Sequence, residues 1–252
     1  MENESNRNKA ILIGLFLSKY DKKALNCFGF SGFKEAFNVF GYSVKTPPSS
    51  IKNYRDEFDP YFPNGRKGWH NRELRDYCRE IMTNVEKLSF DEFYRLINSF
   101  LLDEYVSLED FKVNNKNTKQ RKSMTNRLIT GKAAEEYFVL NYANIEPFCN
   151  YSLIDTTNMG CGFDYKLSLG TDNFYIEVKG INERQGNVSM TEKEYNMAED
   201  LMERYCLFIV SNFKKTPEHQ LFFNPINSGD LIFQRQEHHV LQVSYSTNIK
   251  NQ

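Results

Sequence analysis

Asp164, Glu177 and Lys179 are the residues of this chain whose types and spacing could do chemistry. They lie in "FDYKLSLGTDNFYIEVKG", residues 163–180, which reads as two strands joined by a turn over 170–173. Apolar residues alternate before the turn (Phe163, Tyr165, Leu167, Leu169), and a second run over 174–179 follows it. Strand interiors favour aromatic and β-branched residues and are poor in carboxylates. An acid opening one strand and an acid–lysine pair inside the next therefore need a reason. Residues two apart on a strand share a face, which sets Glu177 beside Lys179. Two carboxylates on adjacent strands suit a hard cation, Mg2+ with Mn2+ as its substitute, because such ions take oxygen ligands and keep waters. A cation so held polarises a phosphoryl oxygen and makes a water more acidic. Lys179 would orient that water or offset charge on the phosphate. The competing reading makes Glu177 and Lys179 a surface pair and Asp164 a strand-end cap, since short patterns recur by chance.

The elements that must position these residues follow from periodicity. "GKAAEEYFVLNY" (131–142) reads as a helix carrying Glu135 and Glu136, and a strand is expected near 149–154. After the two strands of the motif, Thr191 and Glu194 form a capping-box pattern opening a helix over 191–205. A strand over 206–213 comes next, with shorter strand candidates at 220–223, 230–234 and 239–246. An α-β-β-β-α-β order gives an α/β or α+β sheet with helices packed on it, and α/β is the class expected.

Residues 7 to 110 read instead as helices. The spacing predicts them over 8–20, from 31 onward, over 49–58 after the Pro47-Pro48 breaker, and over 71–87. Ser89 and Glu92 form a further capping box, followed by Phe93, Leu96, Ile97 and Phe100. Between the halves, "FKVNNKNTKQRKSMTNRLITGK" (111–132) holds seven Lys or Arg and no acid. It reads as a basic linker over 111–130, dividing a helical domain at 1–110 from a sheet domain at 131–252. In the helical half, Ser50, Lys52, Asn53 and Arg55 stand at the start of the helix after Pro48, as a recognition helix would offer them to a DNA groove and its phosphates. Arg66, Lys67 and Arg72 surround a turn near the sole tryptophan, Trp69, and would contact the DNA backbone.

Composition bounds these readings. The 252 residues include 21 Phe and 15 Tyr, enough for a packed core, and the net charge of −1 requires any nucleic-acid contact to come from one segregated face. Five scattered cysteines without a CxxC pair fit reduced thiols in a cytoplasmic protein. The polar start is not a signal peptide, and the apolar run at 10–17 falls short of the roughly 20 residues that span a bilayer. His238-His239 has no partner at zinc spacing, and no GxxxxGK[ST] loop is present.

Taken together, "GKAAEEYF", "GCGFDYKLS", "YIEVKG" and "MTEKEYNMAEDLMERYCLFIV" resemble, over residues 128–213, the domain named after the C-terminus of the plant protein NO VEIN, within the PD-(D/E)XK nuclease superfamily. The chain departs from the superfamily label in having Phe163 where Pro precedes the acid. The resemblance implies a restriction-endonuclease-like mixed sheet, with Asp164 and Glu177 as metal ligands and Lys179 as the catalytic lysine. It implies Glu135, or its neighbour Glu136, as the acid of the first helix, and it matches Glu194 to an acidic helix position that the capping box alone would also explain. The expected function is then a Mg2+-dependent endodeoxyribonuclease of restriction or phage defence, acting on double-stranded DNA as a homodimer. A methyltransferase or an ATPase encoded nearby is the companion to look for. The alternative is a non-cleaving DNA-binding or partner-docking module that retains the fold.

Overall fold

Apolar residues at helical spacing build α1 (Glu2–Phe28), α2 (Phe33–Ser43), α3 (Pro48–Phe58), α4 (Asp76–Val85), α5 (Phe90–Leu102) and α6 (Thr118–Asn141). The period then shortens to that of strands: β1 (Ser152–Asp155), β2 (Tyr165–Leu169), β3 (Asp172–Gly180), α7 (Glu192–Leu201), β4 (Tyr205–Ser211) and β5 (Glu218–Phe223). The structure, a computed structural model, describes residues 2–102 and 118–237. The expected class holds: helices first, then a five-stranded mixed sheet flanked by helices.

The strands lie in the order β1-β2-β3-β4-β5. β2 and β3 are an antiparallel hairpin in which Leu169 faces Asp172, so Gly170 and Thr171 alone make the turn, with Gly170 at φ +61°. β3 and β4 are parallel, which requires a crossover, and α7 supplies it. Alternation along β3 sends Ile176 and Val178 into the core shared with α6 and leaves Glu177 and Lys179 on the opposite face. β4 is buried along its whole length. Its Phe208 meets Phe138 of α6 edge-on at 4.9 Å.

α6 joins the two halves, which revises the linker expected over 111–130. From Thr118 the chain is helix, while 111–117 lies outside the described residues. The polar composition misleads because Thr125, Asn126 and Thr130 are buried by partners remote in sequence. Asn126 Nδ2 donates to Phe28 O at 3.1 Å, Asn182 Nδ2 donates to Asn126 Oδ1, and Thr130 Oγ1 donates to Asn182 Oδ1 at 3.2 Å. One apolar cluster consequently runs from Ala10 in α1 through Phe40, Ile129 and Phe138 to Phe208 and Phe213.

Other boundaries shift for local reasons. α1 extends past the expected 8–20 segment and bends at Asp21, whose φ is +46°. α4 begins only at Asp76 because the Arg75 N–H and guanidinium are bound by the Glu57 carboxylate. Both expected capping boxes form. Residues 230–234 pair with no strand among the described residues. His238, His239 and the strand expected over 239–246 lie outside them. No described helix is long and apolar enough to cross a membrane.

Candidate active site

Asp164 stands immediately before β2 and extends its pairing: its N–H donates to Ile176 O at 2.8 Å, and its C=O accepts from Thr156 N at 2.9 Å. The approach to it is shaped by Gly162, at φ +93°, and by the Tyr205 hydroxyl, which donates to Gly162 O at 3.0 Å. Strand alternation then turns the Asp164 side chain toward β3, where Oδ2 accepts from Val178 N at 2.8 Å. Glu177 and Lys179 project beside it. Lys179 Nζ donates to Glu177 Oε1 at 2.5 Å and to Glu194 Oε2 of α7 at 2.9 Å. The sequence motif therefore converges, and Glu194 joins it from a third element.

Charge is unbalanced here. Glu177 and Glu194 contact the one ammonium, Asp164 adds a third carboxylate close by, and Glu177 is 3% exposed. Burial, then the charge of Asp164, pushes the Glu177 carboxyl up to about 8. Burial likewise raises Asp164 to about 6, against the opposing Val178 N–H and Lys179, with Glu194 and Asp155 adding to the rise. For Lys179, burial disfavours the ammonium, but Glu177 and Glu194 outweigh it and raise its pKa. The lysine stays charged while the carboxylates resist ionising together.

Asp155, at the end of β1, escaped sequence reasoning. It faces Tyr165 across the register, and its Oδ1 accepts from Thr157 N and Oγ1 at 3.0 and 2.7 Å. An acid closing a strand that pairs with the Asp164 strand was the signal available. Glu135 and Glu136 of α6 act on the neighbouring Tyr165: burial, and then the charges of Glu135, Asp155, Glu136 and Asp164, raise its hydroxyl. Glu136 also ion-pairs with Lys45 at 3.2 Å, a tie to the helical half.

The oxygen donors of Asp164 and Glu177 fit Mg2+. Among the described residues no group of three or more His, Cys, Asp or Glu is placed to hold a metal. Mg2+ is commonly bound by one or two carboxylates, with waters and substrate phosphate completing its shell. The surplus of buried negative charge is what a divalent cation would offset.

The DNA-facing candidates separate into two groups. Lys52 and Asn53 are exposed on the first turns of α3, Lys52 at 3.0 Å from Asp56, and Ser50 lines a cleft of about 220 Å³ with Asn6, Arg7, Lys45 and Thr46. Lys67 and Arg72 are exposed on the 62–75 loop, Arg72 lying 4.0 Å over the Trp69 ring and 3.3 Å from Glu57. Arg55 and Arg66 require correction. Arg55 is buried against Phe33 and Phe37 with its guanidinium on Asp56, and Arg66 binds Asp59 at 2.8 Å and Asp21. Asp59 is 1% exposed, so these arginines balance internal carboxylates that would otherwise be buried unpaired.

No curated protein and no solved structure matches the chain. Its residues 134–223, which include Glu135, Asp164, Glu177, Lys179 and Glu194, match the family model described as "Protein NO VEIN, C-terminal".

Proposed function

We propose that this protein is a metal-dependent endodeoxyribonuclease of the restriction or phage-defence kind, with its active site at Asp164, Glu177 and Lys179. The observation that carries the reading is the meeting of these side chains, from β3 and the start of β2, in a buried site with a surplus of carboxylate. The family match over the same segment supports a nuclease-like or defence-related role. Asp164 and Glu177 would hold Mg2+, or Mn2+ in its place, and Glu135 would add negative charge from α6. The cation would supply Lewis-acid polarisation of the phosphoryl oxygen and a more acidic water. Lys179 would orient the water by hydrogen bonding and offset charge gathering on the phosphate. Ser50, Lys52, Asn53, Lys67 and Arg72 are the side chains assigned to duplex contact. Cutting both strands calls for two sites, and a two-fold dimer matches the symmetry of the duplex.

The experiment incubates the full-length chain with duplex DNA and with RNA in Mg2+, Mn2+, Ca2+ or EDTA. Cleavage of duplex DNA in Mg2+ or Mn2+, binding with little cutting in Ca2+ and none in EDTA are expected. Full activity in EDTA overturns the metal assignment, and preferential cutting of RNA overturns the substrate. A chain that binds duplex and cuts under no condition is the non-cleaving module instead.

A further inference from the structure

Glu194 meets the needs of its helix and then makes one contact more. Its N–H donates to Thr191 Oγ1 at 3.3 Å, and Oε2 accepts from Thr191 N at 2.9 Å, which closes the capping box. The same Oε2 accepts from Lys179 Nζ at 2.9 Å. The Glu194 side chain is 16% exposed, whereas Glu192 in the same turn faces solvent. The start of α7 also lies directly on the chain leading to Asp164. A Cβ at Gly162 would meet Met197 Cγ at 2.6 Å and Lys193 O at 3.1 Å. One helical turn thus touches both the approach to Asp164 and the ammonium of Lys179.

Resting on the nuclease reading above, we propose that Glu194 is a positioning residue for Lys179. A lysine ammonium rides on a flexible four-carbon stem, and one partner on its own strand leaves it free to swing. A second carboxylate, anchored by its own helix cap and approaching from another element, fixes where Nζ stands. Glu194 touches neither substrate nor cation in this role; it acts through Lys179.

Three variants of the full-length chain separate positioning from helix capping. Glu194→Gln keeps the capping box, which accepts Gln as well as Glu, and removes the charged partner of Lys179. Glu194→Asp keeps the charge and shortens its reach. Thr191→Ala removes a cap acceptor and leaves the Glu194–Lys179 contact. The readouts are the labelling rate of Lys179 by an amine-reactive ester, followed by peptide mass spectrometry, the melting temperature, and kcat and KM for DNA cleavage. Glu194→Gln should melt as the parent does, label Lys179 faster, and lose about 10–100-fold in kcat with KM nearly unchanged. Glu194→Asp should fall between Glu194→Gln and the parent. Thr191→Ala should melt lower yet label and cleave close to the parent. Unchanged Lys179 labelling in Glu194→Gln overturns the proposal, as does a kcat loss no greater than that in Thr191→Ala. A parent chain that cleaves nothing removes the nuclease reading alone, and Lys179 labelling then decides the role of Glu194.

Discussion

Glu177 sits where a carboxylate is hard to ionise, and that gives the metal-free protein a pH signature. Its pKa in the fold, about 8, lies above the ordinary 4.5, so its contribution to stability is fully present below that ordinary value and is lost as pH rises through about 8. Asp164, raised from 3.8 to about 6, acts in the same direction over a lower window. In chelator, the melting temperature of the parent should therefore fall more steeply than that of Glu177→Gln as pH rises from about 5 to about 8.5. Mg2+ should restore more stability at the alkaline end, where protons no longer compete for the carboxylates. On the nuclease reading, Asp164→Ala, Glu177→Ala and Lys179→Ala should each lower kcat by at least about 100-fold while duplex binding persists, measured by single-turnover cleavage and by titration. Parent-like cutting by both carboxylate variants would sink the site assignment. This trio was legible in the sequence because strand alternation fixes which face each residue takes. The second partner of Lys179 was not: Glu194 explains itself locally as a cap, and its contact with Lys179 depends on how α7 docks.

Among the elements, α6 was the least legible and β3 the most. Hairpin, turn and alternation announced β3, whereas the buried face of α6 begins with Thr125, Asn126 and Thr130, which read as solvated until their partners are placed. The arginines of the helical half misled for the same reason. A sequence shows that Arg55 stands beside Asp56, but not that Phe33 and Phe37 cover it. The contact between α6 and β3 makes a prediction in which one substitution has opposite signs at two glycines. At Gly180 a Cβ would lie 2.7 Å from Thr130 O and 3.1 Å from Ala134 Cβ, so Gly180→Ala should destabilise by about 1–3 kcal/mol. At Gly131, within α6, a Cβ meets nothing within 4 Å, and Gly131→Ala should stabilise by about 0.4–1 kcal/mol. Urea denaturation of the two variants checks both signs.

At the scale of the whole molecule, the shared apolar cluster predicts that helices and sheet unfold together. Calorimetry, which reports on the whole chain, and the fluorescence of Trp69, which reports on the helical half, should give coincident transitions. Two separated transitions would show the halves to be independent. DNA contact is accordingly best tested in the full-length chain: Asn53→Ala should relax sequence preference by about 1–3 kcal/mol. Lys67→Ala should weaken binding to all duplexes alike and make the salt dependence shallower by about one unit. Arg55→Ala should instead lower the melting temperature, because it strips a cation from buried acids. The polar seam between the halves has one further result. Shifting one half against the other would break close apolar packing, and moving Asn126 off Asn182 and Phe28, or Asn38 off Phe213 O and Lys215 O, would in addition strand buried polar groups at about 1–3 kcal/mol each. The exposed face of α3 and the site carboxylates Asp164 and Glu177 are thereby held at a set interval, like the jaws of a locked calliper. On the nuclease reading, the offset between the bases recognised and the bond broken is a length stored in these amides.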